Sequence, residues 1–418
     1  MNKCKSFRQK NNSICSSLVL AMNMLLLIFL FPADALNGIK EDRQAAGDVE
    51  IATNPKTPKP KDGNKIRMVF EEELSIGVEE GDENYMFGGR VYFNADDEGF
   101  IYVTDWDRKR IQKFDHNGQY LLTIGRKGQG PGEFRNVWRP RFDKDNHLFV
   151  TDISNNRIHF FDRYGNFLRD KKIPQGFSCQ YINSKDMIIG SYNKIIEEDK
   201  SGTKWFISFG MFDEKFNPVK EIHKRSSESK TTGTKSRAQF TADIWSQDAY
   251  KAEICHFMTE DDILYFGYPE RYEIQIFSPE GKLTKIIRRE YDPIRVSKMH
   301  KKRFEKYMED EFFRLFPRFN DIKEDVFRLM EYPKYLPAYQ SFVVMENGWL
   351  FVVVDFMPEQ YTLVDIFDRD GNYIAQFDAR IPAENLFFKN GKAYALATEN
   401  DYRFVKRYKY EIQEYKDN

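Results

Sequence analysis

Short runs of alternating hydrophobic and polar residues occur twice in succession between residues 87 and 173. The sequence GFIYVTD at 99–105 is matched 47 positions later by NHLFVTD at 146–152. The same offset separates RIQKFD at 110–115 from RIHFFD at 157–162. A fixed period of about 40–50 residues made of short strands is typical of β-propeller blades. The pattern therefore predicts an all-β fold in which each period supplies one sheet.

Weaker copies of the two hairpins can be counted along the rest of the chain. The first hairpin of each copy has a polar or glycine turn, at Gly99, Asn146, Asp186, Asp262, Gly348 and Gly391. The second has an aromatic residue before a polar turn, at 114–118, 161–165, 212–217, 277–281 and 367–371. Six first hairpins and five second hairpins predict a six-bladed β-propeller whose last blade lacks its outer strand.

The alternating segment 66–76 has no hairpin partner of its own. We expect this N-terminal strand to pair with the last blade and close the ring, because pairing there removes two open sheet edges. The propeller would then span residues 66–418. In such a blade, the loops between second and third strands and the connections between blades lie on one face, where propellers usually bind their ligands.

One segment, 293–336, changes from strand to helical periodicity. Apolar residues at helical spacing follow a candidate cap at Ser297: Phe304, Met308, Phe312, Leu315 and Phe316. Pro317 ends this run, and a second short helix is predicted from Asn320. The sequence thus predicts a two-helix insertion between blades 4 and 5. A helix with one apolar stripe must cover something, which is either the binding face, as a lid or docking arm, or the outer rim of these blades.

The N-terminus has the organisation of an export signal. Four basic residues precede an apolar run at 18–31, and small residues at 33–35 suit cleavage. Residues 1–35 are therefore predicted to be a signal peptide, and the polar, proline-containing residues 36–65 a flexible linker. We expect an exported protein, periplasmic or extracellular. An uncleaved signal would instead leave it at the membrane.

The two clear repeats resemble the NHL repeat. The resemblance rests on IYVTD at 101–105, RIQKFDHNG at 110–118 and GRKGQGPGEF at 125–134. The chain is similar there to the six-bladed NHL-like propellers that many bacteria export. The resemblance implies a six-bladed ring used mainly as a binding scaffold, with a few enzymatic relatives.

Charge and motif content narrow the functional classes. Lys and Arg number 64 and Asp and Glu 65, a net charge of −1, so nothing attracts nucleic acid to the chain as a whole. The six histidines have no metal-ligand spacing, and no nucleophile elbow or P-loop occurs. We therefore expect no nucleic-acid partner, no cofactor, no metal and no catalytic residue.

Residues that do not recur between the two clear repeats are candidates for binding, because recurrence indicates a structural role. Those predicted on the binding face are Trp106, Asp107, Arg108, Arg126, Lys127, Trp138, Arg139 and Asn155. Exposed aromatic and arginine side chains are the residues expected of interaction hot spots. The same residues could equally be covered by the helical insertion.

A second candidate set surrounds the central channel. Counting seven positions back from each first-hairpin turn gives Tyr92, Arg139, Cys179, Cys255, Ser341 and Glu384. Such a mixed ring is not a metal cage, and an ion pair between Arg139 and Glu384 is its simplest interpretation. Cys179 and Cys255 occupy equivalent positions in adjacent blades, where they form either a disulfide or two buried thiols.

The sequence as a whole favours an exported, non-catalytic scaffold. It would bind a protein or an extended polymer, such as a polysaccharide, on the face that carries the helical insertion. The alternative is a metal-dependent lactonase or lyase with its site in the central channel. The sequence does not determine the oligomeric state.

Overall fold

The computed structural model describes residues 49–60, 63–199, 202–230, 236–314, 316–357 and 361–416. The predicted signal peptide, 1–35, lies outside these residues. Within them, no helix is long and apolar enough to cross a bilayer.

Six sheets follow one another along the chain, five with four strands and one with five, which confirms the predicted all-β six-bladed propeller. The first strand of each blade is at the inner edge of its sheet, and the first strands contact one another between blades 4 and 5, 5 and 6, and 6 and 1. Blades 1 to 3 consist of Val91–Ala95, Ile101–Asp105, Arg110–Phe114 and Tyr120–Ile124; Arg141–Phe142, Leu148–Asp152, Arg157–Phe161 and Phe167–Lys172; and Phe177–Ile182, Ile188–Asp199, Gly202–Phe212 and Pro218–Lys230. Blades 4 to 6 consist of Cys255–Met258, Leu264–Gly267, Glu273–Phe277 and Leu283–Arg289; Ser341–Val344, Leu350–Met357, Tyr361–Phe367 and Tyr373–Asp378; and Glu384–Lys389, Lys392–Glu399, Tyr402–Tyr415 and Lys65–Ile76.

An aspartate shapes the second hairpin turn of several blades. In blade 1, Asp115 Oδ1 accepts hydrogen bonds from the backbone N–H groups of Asn117 (2.9 Å) and Gln119 (2.8 Å). Gly118 has a backbone φ of 79°, which residues with a Cβ atom rarely adopt. The same pair of bonds is accepted by Asp162, Asp213 and Asp368. This local bonding explains why an aromatic residue, an aspartate and a turn recur together.

The N-terminal strand Lys65–Ile76 is the outer strand of blade 6. It pairs antiparallel with Tyr402–Tyr415, and the register places Lys65 opposite Tyr415. Met68 is buried among residues of blades 5 and 6. The strand therefore adds both a backbone ladder and apolar contacts to the end of the chain.

A second N-terminal strand occupies part of the segment predicted as a linker, 36–65. Glu50–Asn54 pairs in parallel with Leu283–Arg289 and is a fifth, outer strand of blade 4. The structure differs from the prediction here because the segment docks by backbone pairing and polar bonds, although it has little apolar surface to bury.

Polar bonds hold this strand. The buried side chain of Asn54 donates from Nδ2 to the carbonyl oxygens of Arg288 (3.1 Å) and Gly371 (2.9 Å), and its Oδ1 accepts from the backbone N–H of Tyr373 (2.8 Å). One side chain thus joins the N-terminal segment to blades 4 and 5. Buried backbone groups that would otherwise lack partners are satisfied by it.

The helices form one additional layer. Helix α1, Arg237–Asp248, lies between blades 3 and 4, whereas α2, Lys298–Met308, and α3, Lys323–Leu329, lie between blades 4 and 5. A π-helical turn, Glu309–Phe313, and a 3-10 helix, Pro317–Ile322, join α2 to α3. We call these five segments the helical layer.

The helical layer has a hydrophobic core of its own. Trp245 of α1 packs against Phe312 and Phe313, with ring centroids 5.0 and 5.3 Å apart. The predicted apolar stripe enters this cluster through Phe304, Met308, Phe312 and Phe316. Leu315 lies outside the described residues. Helix α1, which the sequence did not predict, completes the cluster, so the three helices fold as one unit.

Candidate ligand-binding face

Helix α2 is anchored to blade 5 by a chain of polar groups. Nδ1 of His300 accepts the backbone N–H of Ser297 (2.9 Å), so its Nε2 carries the proton and donates to Asp355 Oδ2 (3.0 Å). The same carboxylate accepts a hydrogen bond from the hydroxyl of Tyr361 (2.7 Å). The side chains of His300 and Asp355 are 5% and 3% exposed. Since buried polar groups need partners, this chain fixes the start of α2 on blade 5.

Two ion pairs extend the helical layer over the next two blades. Lys306 Nζ lies 2.5 Å from Asp401 Oδ1 of blade 6, and Arg314 Nη2 lies 3.6 Å from Asp107 Oδ2 of blade 1. Asp401 and Asp107 both belong to loops between second and third strands. We call the side of the propeller that carries these loops the loop face. The helical layer therefore lies across the loop face from blade 5 to blade 1.

Ser297, His300 and Asp355 form a line that resembles the relay of a hydrolase. The Ser297 hydroxyl lies 2.9 Å from His300 Nδ1. That hydroxyl oxygen also accepts the backbone N–H of His300 (3.3 Å), and Nδ1 already accepts the backbone N–H of Ser297. These reciprocal bonds are those of a helix capping box. The line is therefore an anchor for α2, and no free nucleophile results from it.

A cavity of about 580 Å³ opens beside the helical layer, between blades 5 and 6. Its lining combines aromatic and charged side chains, including Phe356, Tyr361, Tyr408, Arg380, Glu384 and Glu399. The guanidinium of Arg303 in α2 lies 4.5 Å from the ring centroid of Phe356, so the layer supports one wall. A concave surface with aromatic walls and a few charged groups has the composition of a ligand site.

Arg139 crosses the central channel. Its guanidinium donates a hydrogen bond to Asn385 Oδ1. Arg139 precedes the first strand of blade 2, whereas Asn385 lies in the first strand of blade 6. These blades are not neighbours, because blade 1 separates them. A bond between their innermost parts must therefore run through the channel.

Blades 2, 3 and 4 add further polar groups beside this bond. The guanidinium of Arg141 lies 4.4 Å from the ring centroid of Tyr181, whose hydroxyl lies 3.2 Å from His256 Nδ1. Burial, followed by the charges of Arg141 and Arg139, lowers the pKa of His256 to about 3. Burial and the charge of Arg141 lower the pKa of Arg139 to about 10. At neutral pH the imidazole is thus uncharged and the Arg139 guanidinium stays protonated.

The predicted binding residue Trp106 is enclosed by cations. The guanidinium of Arg90 lies 4.7 Å from its ring centroid and the ammonium of Lys109 lies 3.3 Å from it. Burial lowers the pKa of Lys109 to about 8. Cation–π contacts therefore hold this indole in the blade 1 loop.

Its neighbours Asp107 and Arg108 also have partners. Asp107 accepts the backbone N–H of Gly89 (2.7 Å) in addition to its ion pair with the helical layer. Arg108 lies 3.1 Å from the carboxylate of Asp105. Both residues lie on the loop face, and Asp107 is one of the blade residues that form ion pairs with the helical layer.

The candidates in the connection between blades 1 and 2 mostly stabilise that connection. Arg126 pairs with Glu133 at 2.9 Å, and Lys127 is exposed. Asn155 donates to the carbonyl oxygen of Gly128 (3.2 Å), which ties the loop of blade 2 to the connection. Of this group, Arg126 and Lys127 present their charges to solvent.

The predicted channel ring divides into two sets. Tyr92 stacks on Trp138 with ring centroids 5.4 Å apart, beside Arg139. Cys179 instead packs between blades 2 and 3, and Cys255 lies next to blade 5; both are free thiols in the structure. Ser341 begins the first strand of blade 5 and is partly exposed.

Glu384 faces the cavity between blades 5 and 6. Its carboxylate lies 2.8 Å from the guanidinium of Arg403, and it is one of the cavity-lining residues. Arg139, the expected partner of Glu384, binds Asn385. The two side chains thus serve different sites, although Arg139 lies just before the first strand of blade 2 and Glu384 begins the first strand of blade 6.

One group of potential metal ligands occurs in the described residues. Asp143, Asp145 and His147 have ligand atoms within 4.8 Å of one another. They form the first hairpin turn of blade 2, on the side opposite to the loop face. Asp143 Oδ1 already accepts the backbone N–H groups of Asp145 (3.0 Å) and His147 (2.9 Å), so the cluster shapes the turn.

The residues of the α2 anchor and of the channel that were not singled out from the sequence include His300, Asp355, Arg141, Tyr181, His256 and Asn385. Two signals were available. The arginines at 139 and 141 flank Pro140 at a two-residue spacing, as expected of side chains on one side of a strand. His300 follows the predicted cap Ser297 by three residues, the spacing of a capping box.

The fold and the capped loop face define a six-bladed β-propeller with a helical layer across one side. Consistent with this, the model of the family DUF5128, described as a 6-bladed β-propeller, matches residues 90–275. No curated protein has a sequence that matches the chain.

Several solved structures are similar to the chain at low identity. A candidate exported protein from Bacteroides fragilis is 11% identical, with 87% of this chain and 99% of that chain covered and a TM-score of 0.47. A member of the duf4221 family from Bacteroides vulgatus is 12% identical, covering 84% and 100%, with a TM-score of 0.47. Virginiamycin B lyase from Staphylococcus aureus is 10% identical, covering 82% and 99%, with a TM-score of 0.42.

Proposed function

We propose that this protein is an exported, non-catalytic binding scaffold with blades of the NHL type. It engages a protein or an extended polymer, such as a polysaccharide, on the loop face. The closure of the ring by the N-terminal strand and the helical insertion between blades 4 and 5 belong to this proposal. The closed ring provides a rigid platform, and the helical layer distinguishes the loop face from the opposite face.

The observation that supports the proposal most is the cavity between blades 5 and 6. It opens beside the helical layer and has aromatic walls. Arg380, which lines it, is 84% exposed, whereas Glu384 and Glu399 are each 47% exposed. Charges of both signs around aromatic rings can bind the hydroxyl groups of a glycan or the polar groups of a peptide.

The nucleophiles of the described residues support a role without catalysis. Burial raises the pKa of both the Cys179 and the Cys255 thiol to about 12, so neither is a thiolate at neutral pH. The hydroxyl of Ser297 is engaged in the cap of α2. His256 is neutral, and its Nδ1 lies 3.2 Å from the hydroxyl of Tyr181.

Photo-crosslinking in cells that export the protein tests the binding face. A benzophenone residue is placed either at position 380, beside the cavity, or at position 164, where Tyr164 is 64% exposed on a hairpin turn of the opposite side. The proposal predicts a discrete macromolecular adduct from position 380 and none from position 164. Equal adducts from both positions, or adducts from position 164 alone, would overturn it.

Two measurements on the purified protein address the other parts of the proposal. Mass spectrometry of the mature N-terminus is expected to show cleavage near residue 35. Elemental analysis is expected to show no tightly bound metal. One calcium or zinc ion per chain would instead favour a lactonase or lyase with its site in the channel.

A further inference from the structure

Two guanidinium groups of blade 2, those of Arg139 and Arg141, lie at the central channel. Among the residues that the structure describes, neither forms an ion pair within 4.0 Å. The charge of Glu384, which begins the first strand of blade 6, raises the pKa of Arg139 less than burial and Arg141 lower it, and the Glu384 carboxylate lies 2.8 Å from Arg403. The hydrogen bonds of the two arginines go to neutral groups, the amide of Asn385 and the hydroxyl of Tyr181.

The two charges act on each other and on their surroundings. The charge of Arg141 is, after burial, the main cause that lowers the pKa of Arg139, and both charges act in the same direction on His256. Holding like charges in a partly desolvated channel costs free energy that a neutral scaffold would avoid. An anion between the guanidinium groups would offset that cost.

We propose that the central channel binds a small organic anion, whose carboxylate or phosphate group is held between Arg139 and Arg141. This site is separate from the cavity between blades 5 and 6 and does not depend on a macromolecular partner there. Arg139 enters the channel from the start of blade 2, and its hydrogen-bond partner Asn385 lies on the opposite side, in blade 6.

The chemistry of the surrounding groups suits this class of ligand. A guanidinium presents N–H groups in a planar fork that matches the oxygens of a carboxylate or phosphate. Each arginine donates one hydrogen bond to a neighbouring residue within the described residues. Most of the N–H groups of its guanidinium therefore remain available to a ligand. The hydroxyl of Tyr181, which lies 3.4 Å from Arg141 Nη2 and 3.2 Å from Nδ1 of the uncharged His256, is a further polar group beside Arg141.

Isothermal titration at constant ionic strength tests the proposal, with inorganic phosphate and citrate as the two probes. We expect saturable one-site binding of at least one probe to the protein. Arg139→Gln and Arg141→Gln should each weaken that binding about tenfold or more, because each removes charge-assisted hydrogen bonds. Binding of phosphate alone would indicate a phosphorylated ligand, and binding of citrate alone a carboxylate.

The matched control is Arg163→Gln, which removes the same charge from a hairpin turn of the same blade, where Arg163 is 57% exposed. Its affinity for the probe should equal that of the unmodified protein. The melting temperature without ligand provides a second readout, because loss of one of two repelling charges should leave it unchanged or raise it. If a glutamine variant does not fold, Arg139→Lys is used instead. This variant keeps the charge but loses the planar guanidinium, so it should still bind the probe more weakly than the unmodified protein does.

Three results would overturn the proposal. The first is the absence of saturable binding of either probe up to about 10 mM, which is weaker than any specific site of this kind would be. The second is equal binding by the unmodified protein and both channel variants. The third is an equal loss in Arg163→Gln, since that would show a general effect of net charge.

Discussion

The imidazole Nε2 of His300 lies 3.0 Å from the carboxylate of Asp355, and both groups are buried where α2 meets blade 5. The two residues are 55 positions apart in the sequence. Their contact is the innermost of the bonds that place the helical layer on the loop face. The position of the cavity wall at Phe356, the next residue, depends on it.

Replacing His300 by Ala should therefore loosen the helical layer. Asp355 would lose its buried imidazole donor, and we expect α2 to lose about 1–3 kcal/mol of local stability. Amide hydrogen exchange of α2 should become faster while that of the blade strands changes little. His116→Ala, on an exposed hairpin turn, is the control, and equal exchange in both variants would contradict the anchoring role.

The N-terminal strand Glu50–Asn54 should contribute to stability through one side chain. Asn54→Ala removes two buried hydrogen bonds and one partly buried one, and is expected to lower the free energy of unfolding by about 2–3 kcal/mol. Urea denaturation measures the change. Ile51→Ala, whose side chain is 51% exposed, should change it by less than about 0.5 kcal/mol. Equal effects would mean that the strand is not docked through Asn54.

His159 predicts a pH dependence. It is fully buried near Phe134 and Phe167, and neither ring nitrogen has a hydrogen-bond partner. Burial lowers its pKa, so the folded protein keeps it neutral while the unfolded chain takes up a proton near pH 6.5, as an approximate reference value. The folded state is therefore penalised progressively as the pH falls through that value.

His159→Phe removes both the unpaired nitrogens and the titration. The variant should equal or exceed the unmodified protein in stability at pH 7, by about 1 kcal/mol. Its advantage should grow as the pH is lowered toward about 5, because only the unmodified protein loses stability through this histidine. Urea denaturation at several pH values, with His116→Phe as the control, measures the difference. A constant difference across the range would contradict burial of a neutral His159.

The seam between blades 4 and 5 depends on a buried acid. Asp365 Oδ2 lies 2.7 Å from Arg289 Nη1 and accepts the hydroxyl of Tyr272 (2.5 Å). Asp365→Asn would leave the arginine charge buried without a counter-charge and should cost about 3–5 kcal/mol. Asp370→Asn, on an exposed turn, is the control. Thermal denaturation with no difference between the two variants would show that the pair does not support the seam.

The sequence predicted the features that depend on local bonding and did not predict the contacts between residues that are far apart in the chain. The blade count followed from hairpin turns whose aspartates bond locally, as Asp115 does. The cap at Ser297 followed from local spacing in the same way. By contrast, Glu50–Asn54 docks through polar bonds to residues more than 200 positions away, which no local pattern reveals.

The sites were harder to predict for the same reason. Arg139 and Asn385 meet across the channel from blades that are not adjacent, so their contact depends on the ring as a whole. A count of register positions found Arg139 but placed Cys179 beside it, where the structure has Tyr181 near Arg141. Helix α1 was missed because two of its buried residues are alanines, Ala238 and Ala242, whose apolar signal is weak.

The placement of the helical layer across the loop face is the claim on which the binding proposal depends. Zero-length carbodiimide coupling tests it directly, since Lys306 Nζ lies 2.5 Å from Asp401 of blade 6 and 3.3 Å from Asp310 of its own layer. Mass spectrometry of the digested product should show the peptide that joins Lys306 to Asp401. Coupling of Lys306 to Asp310 alone, with no link to blade 6, would contradict the account.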